Sequence, residues 1–122
     1  MKKIILITAL IFSFVFINAS INANAATKVQ TFKGQIVSLD DVLSGAKNKQ
    51  LTKAKAQECY DNNVPLVVFI SNKVYFVKNE DGSYAFKKLK DYAHNKKVAL
   101  KGTKKVKNGI NCIIMSNIES LD

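Results

Sequence analysis

Redox, metal or acid–base chemistry in this 122-residue chain would have to be built from two cysteines, one histidine and nine acidic side chains. Cys59 and Cys112 have two readings. An exported chain with an even cysteine count permits a disulfide, and a Cys59–Cys112 bond would add roughly 2–4 kcal/mol of stability in unstrained geometry. Equally, Cys59 shares a helical face with Ala56 and Tyr60, and Cys112 alternates with Ile110 and Ile114, as buried apolar thiols do. No Cys-x-x-Cys or Cys-x-x-Cys-His pattern supports thiol exchange or covalent haem. His94 falls in the last turn of a predicted helix, where the negative end of the helix dipole favours a surface imidazole. Asp40-Asp41 and Glu80-Asp81 are adjacent carboxylate pairs in predicted turns, with too few oxygens for a Ca²⁺ site. Gly-x-Ser-x-Gly and phosphate-cradling glycine loops are missing. The expectation is a chain that is not an enzyme, with no metal site and no cofactor.

Binding needs less machinery. Tyr75, Phe76, Tyr84 and Phe86 could supply an aromatic surface for stacking. Neighbours on a strand face opposite ways, so Phe76 is expected in the core beside Val74, with Tyr75 at the rim. Tyr75, Tyr84 and Lys73 are the candidate ligand-binding residues.

These residues are positioned by a regular series of elements. Val29 to Leu39 reads as a strand, and Gly34 inside it marks a bulge or sharp bend. Asp40 to Leu51 is a polar connection. Thr52 can N-cap a short helix running to about Asn62, with Ala56, Cys59 and Tyr60 as its apolar face, and Pro65 follows. Leu66 to Ile70 is a continuous apolar run suited to a buried central strand. Ser71-Asn72 turns into an antiparallel strand from Lys73 to Lys78. Ser83 can cap a helix from about Tyr84 to His94, with Ala85, Leu89, Tyr92 and Ala93 on one face. A fourth strand holds Val98 and Leu100, and Asn108-Gly109 favours a type I′ hairpin into a fifth from Ile110 to Ile118.

Five strands and two short helices, one of them between the third and fourth strands, follow the order of the OB-fold, a small Greek-key barrel. An open α+β sheet is the alternative. Closure leaves few exposed edges, which suits a chain too short for a large core.

The N-terminus has its own logic. Met1-Lys2-Lys3 precedes an almost wholly apolar run from Ile4 to Ile17, and Ala23-Asn24-Ala25 places small residues at −3 and −1. That is a secretory signal peptide over residues 1–25. The apolar run of fourteen residues reaches about 21 Å as a helix, short of a roughly 30 Å hydrocarbon core. Residues 26–122 are then one domain, periplasmic or secreted, with a helical insertion at about 40–64. Without Lys2 and Lys3 the domain has 17 lysines against 9 carboxylates, a balance of +8, and no arginine. A nucleic-acid reader without arginine would be unusual, so nucleic acid is disfavoured. The lysines from Lys87 to Lys107 form either a solvated face or an attraction for anionic surfaces or polyanions.

The domain resembles the small secreted bacterial OB-fold proteins. The likeness lies in the leader, the Phe32-Lys33-Gly34-Gln35-Ile36-Val37 opening, Val98-Ala99-Leu100-Lys101-Gly102 and the closing Ile118-Glu119-Ser120-Leu121. A subset of those proteins carries a helical insertion after the first strand, matched here by Ser44-Gly45-Ala46-Lys47, Lys55-Ala56-Gln57-Glu58-Cys59 and Val64-Pro65-Leu66-Val67. The subset's Cys/His cluster is absent: Asp41, Thr52 and Lys55 stand at its positions and only Cys59 remains. One thiolate cannot complete a tetrahedral zinc site. The resemblance implies an exported binding module of the cell envelope whose partner is an unknown envelope protein or anionic ligand. The alternative is a thiol- or metal-linked envelope protein using Cys59.

Overall fold

The computed structural model describes residues 28–122, so the predicted leader at 1–25 lies outside the described residues. The elements are β1 (Gln30–Ser38), α1 (Leu39–Ser44), α2 (Lys53–Asp61), β2 (Leu66–Ile70), β3 (Lys73–Asn79), α3 (Phe86–Tyr92), β4 (Val98–Lys107) and β5 (Ile110–Ser120). The strands close in the order β1-β2-β3-β5-β4, with β4 returning to β1. All pairs are antiparallel except β3 with β5. This is the OB-fold-like barrel expected from the order of elements, with three short helices rather than two. No helix among the described residues is long and apolar enough to cross a membrane.

Closure depends on β1 serving two neighbours. Gln30 to Gly34 pair with β4, and Gln35 to Ser38 pair with β2. Gly34 stands at the handover, where a Cβ would lie 2.6 Å from Ile70 Cγ1 and 2.8 Å from the Phe69 carbonyl oxygen. Close approach of β2 across β1 therefore demands glycine there, and the ladder keeps its register past it. The register shift falls in β4 instead, between Lys101 and Gly102, where a Cβ on Gly102 would run into the Ile114 carbonyl.

The interior follows from strand periodicity. Ile36, Leu66, Val68, Val77, Val98, Leu100, Ile113 and Met115 are almost wholly shielded from solvent and form one cluster. Leu66, Val67 and Val68 are all fully buried, as a run covered on both faces should be. Leu89 of α3 enters the same cluster with Ala85 and Ala93.

The insertion is capped as well as packed. Thr52 Oγ1 accepts from Lys55 N at the start of α2, and Ala56 and Cys59 turn inward from that helix. The segment read as a polar connection begins with α1 instead. Ser38 caps it by accepting from Asp41 N at 3.1 Å, so Asp40 and Asp41 occupy a helix's first turn, where the dipole favours carboxylates. Gln50 links the insertion to the barrel: Gln35 Nε2 donates to its Oε1 at 3.0 Å, and its own Nε2 donates to the His94 carbonyl at 3.1 Å. Ser83 does not cap α3. Its N–H and hydroxyl both donate to Asp81 Oδ1, and Ala85 stands at the N-cap without a side-chain bond.

Candidate ligand-binding site

Alternation along β3 decides which aromatics meet solvent. Tyr75 pairs across the ladder with fully buried Val68, and cross-strand partners share a face, so Tyr75 and Val77 point inward. Tyr75 is 7% exposed, with Lys104 Nζ 5.6 Å from its ring centre. The expected placement is thereby reversed: Phe76 takes the outer face, half-buried, and Tyr75 joins the core.

Phe76 and Lys78 lie in an open hollow of about 550 Å³. On one side the parallel partner β5 contributes Cys112, the cross-strand partner of Phe76, and Ile110. On the other side stand Pro65 and Tyr84, and the β4–β5 turn contributes Lys107 and Asn108. The lining is mostly apolar, with two lysines and no carboxylate.

Tyr84 is held in the wall by its hydroxyl, which accepts from Leu66 N at 2.7 Å and donates to the Leu66 carbonyl. Burial pushes this phenol above its ordinary range, against the Leu66 backbone bond that pulls it down. Its ring stacks on Phe86 at 5.1 Å, and Phe86 meets Tyr60 edge-on at 4.9 Å. Lys90 Nζ closes the row 5.0 Å from the Tyr60 ring.

Of the three residues singled out as ligand contacts, only Tyr84 lies in this hollow. Tyr75 is inside the barrel. Lys73 is exposed beside the Ser71-Asn72 turn, paired with Ile70 and outside the hollow's lining. Phe76, Ile110 and Cys112 went unrecognised. Their signal was the order itself, because an OB-type closure sets β3 beside β5, and the Asn108-Gly109 turn carries Ile110 back beside Lys107.

Of the two readings of the cysteines, the structure has the thiols free, Cys59 buried and Cys112 half-buried. Cys112 lines the hollow, whereas Cys59 lines a separate recess of about 260 Å³ with Ser38, Asp41, Lys55 and Glu58. Burial raises the Cys59 thiol above its ordinary value; Lys55 opposes this and Asp41 and Glu58 add to it. The shift favours the protonated thiol, which is the weaker nucleophile. His94 lies in a third recess with Lys53, Gln57, Lys90 and Asp91. Among the described residues no three His, Cys, Asp or Glu side chains come together as a metal set.

No protein-family model, curated protein or solved structure matches the chain.

Proposed function

We propose that this chain is an exported, non-enzymatic OB-fold binding module of the cell envelope, and that the hollow on the outer face of β3 is its ligand seat. One observation carries the reading: an apolar hollow of about 550 Å³, within the roughly 300–1,000 Å³ of small-molecule sites, is flanked by Lys78 and Lys107 with no carboxylate in its lining. Such a surface favours a ligand with an apolar body and an anionic group. Phe76 and Tyr84 offer faces for contact, and the lysines offer charge without rigid geometry. Export is supported by the leader-like residues 1–25 and by the resemblance to small secreted OB-fold proteins.

The test is a fluorescence titration of residues 26–122, which retain the whole core, with 8-anilinonaphthalene-1-sulfonate as an apolar anionic probe. Saturable binding is expected, weakened at least about tenfold by Ile110→Asp, which puts a charge on a side chain that is 54% exposed and lines the hollow. Binding unchanged by Ile110→Asp and by Lys78→Glu would remove the hollow as the seat. Capture on the immobilised domain from its native envelope then identifies the ligand.

A further inference from the structure

The β4–β5 hairpin outruns the barrel. Pairing of β1 with β4 ends at Gln30 and Gly102, and pairing of β3 with β5 begins at Phe76 and Cys112. Only the last two rungs, Val106 with Asn111 and Lys107 with Ile110, are thus held by each other alone, closed by Asn108 and Gly109 at positive φ; Thr103 to Lys105 still pair with Ile114 to Cys112, which β3 holds. Val106 and Ile110 flank that turn, 60% and 54% exposed, in neighbouring rungs and on opposite faces. Exposed apolar residues on both faces of a tip cannot be shielded by packing the ribbon back on the barrel from one side. They can be shielded together if the tip enters an apolar medium end-on.

The surrounding charge selects the medium. From Lys101 to Ile118 the chain carries Lys101, Lys104, Lys105 and Lys107 and no carboxylate. Leu43 is more exposed, at 76%, but it stands in α1 with Asp40 and Asp41 and has no such ring of cations. A soluble polyanion would satisfy the lysines and leave Val106 and Ile110 in water; an anionic bilayer satisfies both. We infer that the β4–β5 hairpin is a membrane-docking wedge, with Val106 and Ile110 entering the interface of an anionic phospholipid bilayer and Lys104, Lys105 and Lys107 contacting its headgroups. The wedge shares Ile110 and Lys107 with the hollow's lining, whereas Val106 and Lys105 lie outside it, so a response at Val106 and Lys105 separates docking from ligand binding in the hollow.

Residues 26–122 are used for the test, because the apolar run from Ile4 to Ile17 would partition into lipid by itself. Co-sedimentation is compared on vesicles of phosphatidylglycerol with phosphatidylcholine and of phosphatidylcholine alone. Binding is expected only to the anionic vesicles. Lys105→Glu with Lys107→Glu should weaken it by about 25-fold or more, at roughly fivefold per lysine lost at an anionic surface. The same reversal at Lys87 and Lys88, exposed on α3, should change it by less than about threefold, because adsorption through net charge alone would respond equally. Val106→Ser with Ile110→Ser should weaken it by about tenfold or more. The chain has no tryptophan, so a single one placed by Val106→Trp should shift its emission to the blue on anionic vesicles. Equal loss from the two charge reversals, full binding by the serine variant, an unshifted tryptophan, or heparin binding equally sensitive to the serine changes would each overturn the inference.

Discussion

The Tyr84 hydroxyl serves both the N–H and the carbonyl of Leu66, joining the segment before α3 to the first residue of β2. Those are the two groups that an adjoining strand would otherwise have paired. β2 bonds to β3 only at Val68 to Ile70, so Tyr84 supports the start of the strand and one wall of the hollow together.

Tyr84→Phe leaves both Leu66 backbone groups without that partner and should destabilise the domain by about 1–3 kcal/mol, read from urea unfolding. The pH dependence has a definite sign. Burial raises the phenol's pKa in the folded state, so its contribution is fully present below the ordinary tyrosine value near 10 and fades as pH rises beyond it. The stability gap between the parent and Tyr84→Phe should therefore narrow above about pH 10. A gap that widened there would contradict the burial of this hydroxyl.

The two thiols should separate in alkylation. Cys112 is half-buried on the hollow and should react with iodoacetamide in the folded protein, whereas Cys59, buried and with its pKa raised, should react only after unfolding. Intact mass before and after reduction should be identical. A mass gain on reduction, or faster labelling of Cys59 than of Cys112 in the folded state, would contradict the arrangement.

Two glycines should rank by what stands against them. At Gly102 the nearest obstacle is the Ile114 backbone, which cannot move without breaking the β4–β5 ladder; at Gly34 the nearest atom is the Ile70 side chain, which can partly yield, and the Phe69 carbonyl oxygen stands further off at 2.8 Å. Gly34→Ala should cost about 1–3 kcal/mol by thermal or urea unfolding, and Gly102→Ala more than that. The reverse order would place the tight crossing elsewhere.

Much of the barrel was written in local signals. Leu66 to Ile70 is a strand with the expected bounds, and both two-residue turns have positive φ at both positions, the backbone that Asn-Gly favours. Gly34, expected at a bulge or sharp bend, stands instead where β2 approaches closely, with no register shift in β1. The short helix α1 went unread because its cap, Ser38, is the last residue of a strand, and six residues give no helical period. The site was less legible. Leu66 to Ile70 is apolar at every position, so nothing in the run tells inside from outside, and the parity of β3 depends on it through the Val68–Tyr75 pair. Tyr75 and Phe76 were exchanged for that reason. The Phe76–Cys112 contact is closed by a parallel pairing of residues far apart in the chain, which no local pattern reports.

The hollow itself can be mapped directly. Amide chemical shifts of residues 26–122, recorded while 8-anilinonaphthalene-1-sulfonate is added, should move most at Phe76, Lys78, Tyr84, Ile110 and Cys112. Lys73 and the residues of α2 should stay still. Shifts concentrated around Cys59 or His94, or spread over the lysine-rich surface with no saturation, would contradict a ligand seat on the outer face of β3.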